Sequence, residues 1–121
     1  MSIAYWVVAG LLAATYLYGG VLKVVRTPDQ LRPMMAWVDR VPLGLVRTIG
    51  VLEVLGALGL ILPPLTGTAP GLAVAAAVGL VLLQCGGIVV HRTSTDDRQI
   101  VINVILLVTA LAAAILGAAS L

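Results

Sequence analysis

Leu43-Gly44-Leu45-Val46-Arg47-Thr48-Ile49-Gly50-Val51-Leu52-Glu53-Val54-Leu55-Gly56-Ala57-Leu58-Gly59-Leu60-Ile61-Leu62 is an apolar run with one acid at its centre. It has the length of about 20 residues that an α-helix needs to cross a bilayer core. Working outward, Ile3–Val25, Gly71–Val90 and Ile100–Ala119 share the pattern. The 121 residues are 61% hydrophobic and 10% charged, with a mean hydropathy of +1.16. An ordinary soluble domain is about 45–50% apolar and about 25% charged. So few charges cannot cover a globule in water, so a soluble monomer is excluded and lipid must surround most of the chain. The expectation is a single all-α domain over residues 1–121, a bundle of four transmembrane helices spanning 3–25, 43–62, 71–90 and 100–119.

The connections differ in kind. Pro63-Pro64-Leu65-Thr66-Gly67-Thr68-Ala69-Pro70 reads as a rigid uncharged turn that stops the second span and starts the third. Arg92–Arg98 reads as a tight polar loop in which Ser94 and Thr95 cap the fourth span. Thr27-Pro28-Asp29-Gln30 fits a capping box with proline at the first helical position. Leu31, Met34, Met35, Trp37, Val38 and Val41 then interleave with Arg32, Asp39 and Arg40. This predicts a short amphipathic interfacial helix over about 28–41, bent at Pro33, with Trp37 at headgroup depth.

The basic residues set an expected orientation. Lys23, Arg26, Arg32, Arg40 and Arg47 flank the first connection, and Arg92 and Arg98 the third. In a four-span chain those two connections share a side, so the basic loops are expected in the cytoplasm and both termini outside. The net charge of +2 thus reports membrane orientation, and nucleic acid is not an expected partner. The first span has no basic residues ahead of it, unlike a secretory signal, and is expected to stay in the mature protein.

Within such a chain the polar residues at depth carry the information, because an ionisable group there costs a few kcal/mol or more. Glu53 lies ten residues from both Leu43 and Pro63, about 15 Å from either end and so near the midplane. Gly50, Gly56 and Ala57 share its side of the helix, where another backbone can come close. Thr15 and Tyr16 fall at similar depth, and Gly19, Gly20 and Lys23 lead from Tyr16 toward the basic end. Gln84 sits two turns inside His91, and Asn103 about one turn inside the fourth span. A polar column from Glu53 through Gln84 and Asn103 to Lys23 and His91 is geometrically open. Plainer readings stand beside it. Lys23 needs only a short reach to snorkel to the headgroups, the simpler reading, and starts about 10 Å from Glu53 along the normal. His91 beside Arg92 reads better as an interfacial residue than as a ligand. Gln84 and Asn103 either bond between helices, at about 0.6–2 kcal/mol each, or serve a ligand. Cys85 reads as a small packing residue, and Tyr16 and Tyr18 as packing groups with a hydroxyl handle.

Several chemistries are absent from the sequence. It contains no dinucleotide or nucleotide loop, no HExxH and no nucleophile elbow. Nothing has zinc-ligand spacing, and a single histidine does not supply two haem ligands. One cysteine excludes an internal disulfide.

From Ala36-Trp37-Val38-Asp39-Arg40-Val41-Pro42 through the Ile49-Gly50-x-x-Glu53-x-x-Gly56 core of the second span, the chain resembles the DoxX-like family of small bacterial membrane proteins. Tyr16 to Lys23 with Gly19-Gly20, and Asn103, extend the likeness over nearly the whole chain. The resemblance implies a four-helix bundle in the bacterial cytoplasmic membrane and a link to redox physiology: relatives look like subunits of quinone-reducing sulfur oxidation systems or of oxidative-stress complexes, and others resemble assembly chaperones. Cys85 alone cannot perform dithiol exchange, which argues against an independent thiol oxidoreductase.

Three functional readings follow. The first is a small membrane subunit, not an enzyme on its own, whose pocket around Glu53 binds a quinone, lipid or other small amphiphile oriented by Tyr16, Gln84 and Asn103, with Lys23 and His91 as further candidates. The second is a proton-coupled multidrug-type transporter, although the essential acid of that family lies in the first span and this chain's strong charge bias disfavours dual topology. The third is an accessory or assembly subunit of a larger membrane complex, or a homo-oligomer, docking through glycine- and alanine-rich faces.

Overall fold

Five helices follow one another in a computed structural model that describes residues 2–33, 41–69, 71–91 and 97–121, with side chains for all of these except 89–91 and 97–99. They are α1 (Ile3–Val25), α2 (Pro28–Leu31), α3 (Leu43–Thr66), α4 (Gly71–His91) and α5 (Asp97–Ala119). Four are long and apolar enough to cross a membrane, over Ile3–Val25, Leu43–Thr66, Gly71–Ile88 and Ile100–Ala119. The fold is an all-α four-helix bundle in which α1 packs on α3, α3 on α4, α4 on α5, and α5 back on α1.

The long helices bury residues that recur at steps of three and four, most regularly in α3 and α4. In α3 these are Val46, Gly50, Glu53, Ala57 and Leu60, and in α4 they are Ala73, Ala77, Leu80 and Gln84. In α5 they run from Asn103 to Ala110, Ala113 and Gly117. That spacing keeps one seam facing the partner helix. The buried set is made largely of small and polar residues, whereas Leu11, Leu55, Leu82, Val108 and Ile115 lie exposed on the outer faces. Lipid accepts large apolar side chains outside, so close packing of small ones is what holds the helices together.

The two ends are closed differently. At the terminal end, the Ser2 hydroxyl caps α1 by accepting from Tyr5 N at 3.1 Å, and Ser2 N donates to Ser120 Oγ at 3.2 Å. At the basic end the capping box forms: Thr27 Oγ1 accepts from Gln30 N, and Gln30 Oε1 accepts from Thr27 N at 3.0 Å. Leu31 is fully buried against Leu22 and Val46, plugging the gap between α1 and α3.

One expected helix end is corrected, and one expected helix lies only partly within the described residues. Of the interfacial helix expected over about 28–41, Pro28–Leu31 is helical and a turn follows at Arg32 and Pro33. Pro33 has no N–H to continue the ladder. Residues 34–40, including Trp37, lie outside the described residues, as do Ser94 and Thr95. The corrected end is that of the second span, which does not stop at Leu62. It runs on through Pro63 and Pro64 to Thr66, where Gly67, at φ 70°, ends it with bonds from Gly67 N to Pro64 O and Thr68 N to Pro63 O. Only glycine takes that left-handed turn without strain.

The physical reason the prolines fit is visible on α1. Pro64 lacks the N–H that would reach the Leu60 carbonyl one turn back, leaving that carbonyl without its helical partner. The buried Tyr5 hydroxyl donates to it instead, at 2.6 Å. Neighbouring helices commonly satisfy a backbone group freed by proline within a membrane. Tyr5→Phe is therefore expected to lower stability by about 1–3 kcal/mol. Adding Pro64→Ala should recover much of the loss, because alanine restores the missing donor. Thermal unfolding of the single and double variants in mild detergent checks this, and no recovery would place the hydroxyl's contribution elsewhere.

Candidate ligand pocket

The site begins where α1 and α3 cross with no side chain between them. A Cβ at Gly20 would lie 2.8 Å from the Gly50 carbonyl oxygen, and one at Gly50 would lie 2.7 Å from the Gly20 oxygen and 2.8 Å from Lys23 Cβ. Only glycine at both positions allows that approach. The helices are antiparallel, and side chains tilt toward their own helix's N-terminus. Lys23 therefore leans from the basic end toward the midplane, while Glu53 leans toward the basic end. The two close the distance that separates their backbones, and the Lys23 ammonium pairs with Glu53 Oε1. The reading of Lys23 as a residue that snorkels outward is thus corrected. Both side chains are largely buried, at 12% and 6% exposure. Arg47 Nη1 donates to the Lys23 carbonyl at 2.7 Å, satisfying an oxygen at the open C-terminal end of α1.

A second polar pair sits beside the first. Gln84 Nε2 donates to the Tyr16 hydroxyl at 2.6 Å, with both residues buried. Gln84 Oε1 is also buried and has no hydrogen-bond partner among the described residues. Asn103, 5% exposed, rests on Gly87, its Nδ2 3.5 Å from where a Cβ would stand. Lys23, Glu53, Gln84 and Asn103 then share the wall of one cavity of about 350 Å³, with Thr48, Leu52, Leu83 and Gly87. A volume of this order suits a small-molecule headgroup.

Of the residues singled out from sequence, Tyr16 stands behind Gln84 and does not line the cavity. The side chain of His91 lies outside the described residues. Thr15, considered as a partner for Glu53, is exposed and donates to Leu11 O at 2.9 Å. Cys85 and Tyr18, read as packing residues, both lie on exposed faces. Two contributors were missed. Arg47 entered the sequence reading only as an orientation charge, although a basic residue one turn inside a span was a signal in itself. Thr48, the next residue, stands on the cavity wall, whereas Arg47 acts through the Lys23 carbonyl.

The fold and the pocket together define a small multi-pass membrane protein that buries an ion pair and two carboxamides along a half-open cavity. The chain belongs to the DoxX-like family, whose family model matches residues 7–113. Neither a curated protein nor a solved structure matches it.

Proposed function

We propose that this protein binds the headgroup of a small membrane amphiphile, a quinone or a lipid, in the pocket around Glu53, and works as a small subunit whose link to membrane redox physiology runs through a partner. The observation that carries this reading is the convergence of Lys23, Glu53, Gln84 and Asn103 on one cavity, with a buried Gln84 oxygen lacking a donor among the described residues. Buried polar groups are ordinarily satisfied, and an unsatisfied one costs about 1–3 kcal/mol. A bound headgroup would supply the missing bond. Redox chemistry would come from the partner, because Cys85 is the only cysteine. In this reading the protein sits in the bacterial cytoplasmic membrane with both termini outside and its basic connections in the cytoplasm.

The transport reading draws less support. Proton-coupled exchange needs a carboxylate that protons and substrate can take in turn, whereas Glu53 is held by Lys23. The test is purification from native membranes in mild detergent, followed by solvent extraction and mass spectrometry. One amphiphile class should be retained in near-stoichiometric amount and fall about tenfold in Glu53→Gln, the loss of roughly one charge-assisted hydrogen bond. An extract without such a species, or unchanged retention in Glu53→Gln, would reject the pocket.

A further inference from the structure

The polar cavity does not end at Leu52 and Leu83. A second groove of about 700 Å³, lined by apolar residues, continues from the same Leu52, Leu82 and Leu83 along the α3–α4 seam to Pro63 and Leu72. Its floor is made of small residues, Gly56, Gly59, Ala76 and Gly79 among them. From Leu52 to Pro63 it covers about 16 Å of helix axis. Leu52 and Leu82, where the two spaces meet, are 50% and 66% exposed on the outer face, so the junction opens sideways toward the surrounding lipid. At one end of this path stand the groups described above. Lys23 and Glu53, the two charged residues among those lining the cavity, neutralise each other. Gln84 Oε1, in a residue 7% exposed, is an acceptor without a donor among the described residues.

From this arrangement, and resting on the pocket reading above, we infer that the occupant is a single-chain amphiphile with an uncharged, hydrogen-bond-donating headgroup, a hydroxyl in its simplest form, which enters between Leu52 and Leu82. The hydroxyl meets Gln84 Oε1 when the carboxamide, which is sealed against the bundle in this structure, tips toward the cavity whose wall Gln84 forms, and the chain lies in the groove toward Pro63. Each part of the ligand follows from a part of the path. A neutral headgroup suits a cavity whose charges already cancel, since an added charge would be desolvated near the midplane without a counter-ion. A donor suits an orphan acceptor. One unbranched apolar chain suits one narrow groove floored by glycine and alanine, whereas a two-chain phospholipid would leave a chain outside and bring a charged headgroup to mid-depth.

The experiment uses the full chain in mild detergent with two probes: a long-chain primary alcohol carrying a photoreactive diazirine midway along the chain, and its methyl ether, which has the same shape but no donor. After irradiation, labelled positions are mapped by mass spectrometry of the digested protein. The alcohol is expected to label the α3–α4 seam between Leu52 and Pro63, and the ether several-fold less, consistent with one lost hydrogen bond. A Cβ at Gly79 would meet nothing within 4 Å, so Gly79→Leu fills the groove without disturbing the bundle, and Gly79→Trp fills it further. Either should cut labelling at least fivefold, while Gly10→Trp, equally unobstructed on exposed α1, should leave it unchanged. Equal labelling by alcohol and ether would remove the donor assignment. Labelling that needs Glu53 but ignores both Gly79 variants would remove the tail path and leave the pocket reading standing. Labels spread evenly over the exposed faces would remove both. If the Gly79 variants change the size of the purified particle but not the labelling, the groove seats another helix and the inference fails.

Discussion

Lys23→Met is expected to destabilise the protein by about 3–5 kcal/mol, because it leaves the Glu53 carboxylate buried with no opposite charge beside it. The pair itself contributes much less than this, since two ions taken out of water lose hydration that their attraction only roughly restores. The double variant Lys23→Met with Glu53→Leu should therefore be far closer to the parent in thermal unfolding than Lys23→Met alone. That non-additivity is the signature of a contact pair. If the two single variants and the double showed simply additive losses, Lys23 and Glu53 would be acting separately. Ligand retention should disappear in both backgrounds, which separates the pair's part in the pocket from its part in stability.

Gly50→Ala should produce the second large effect, a loss of about 1–3 kcal/mol from overpacking, together with release of any bound amphiphile. In an exposed helix the same change gains up to about 1 kcal/mol of helix propensity. Here the added carbon would stand 2.7 Å from a backbone oxygen of α1, which cannot rotate away as a side-chain tip can. Separating the helices also lengthens the path from Lys23 to Glu53. Gly10→Ala and Gly44→Ala, where a Cβ meets nothing within 4 Å, are the matched controls and should be neutral or slightly stabilising. A Gly50→Ala variant as stable as those controls would mean that the crossing is looser than the geometry indicates.

Much of the site's membership was legible in the sequence. Glu53, Gln84, Asn103 and Lys23 stood out because each is a polar residue within or beside an apolar run. Their partners were not legible. Lys23 could be followed outward to the headgroups or inward to Glu53, and the choice depended on the tilt of two antiparallel helices and on the pair of glycines where they cross. The role of Pro63 and Pro64 was hidden for a similar reason. Local rules end a helix at such a pair, yet the Tyr5 hydroxyl, more than fifty residues away in the chain, satisfies a carbonyl that they leave open. The groove along α3 and α4 likewise had no sequence signal, because its glycines and alanines resemble those of any close helix contact.

What the sequence determined by itself was partition: four stretches leave water for lipid, and each polar residue within them must find company. That follows from transfer free energies summed along local segments, which need no knowledge of neighbours. What the tertiary structure alone decided was which companions meet, which faces turn inward and which spaces stay open. In a bilayer the outer faces are as apolar as the inner ones or more so, and hydropathy cannot say which side of a helix is buried. Contact between small residues on different helices makes that choice, and only the assembled bundle displays it.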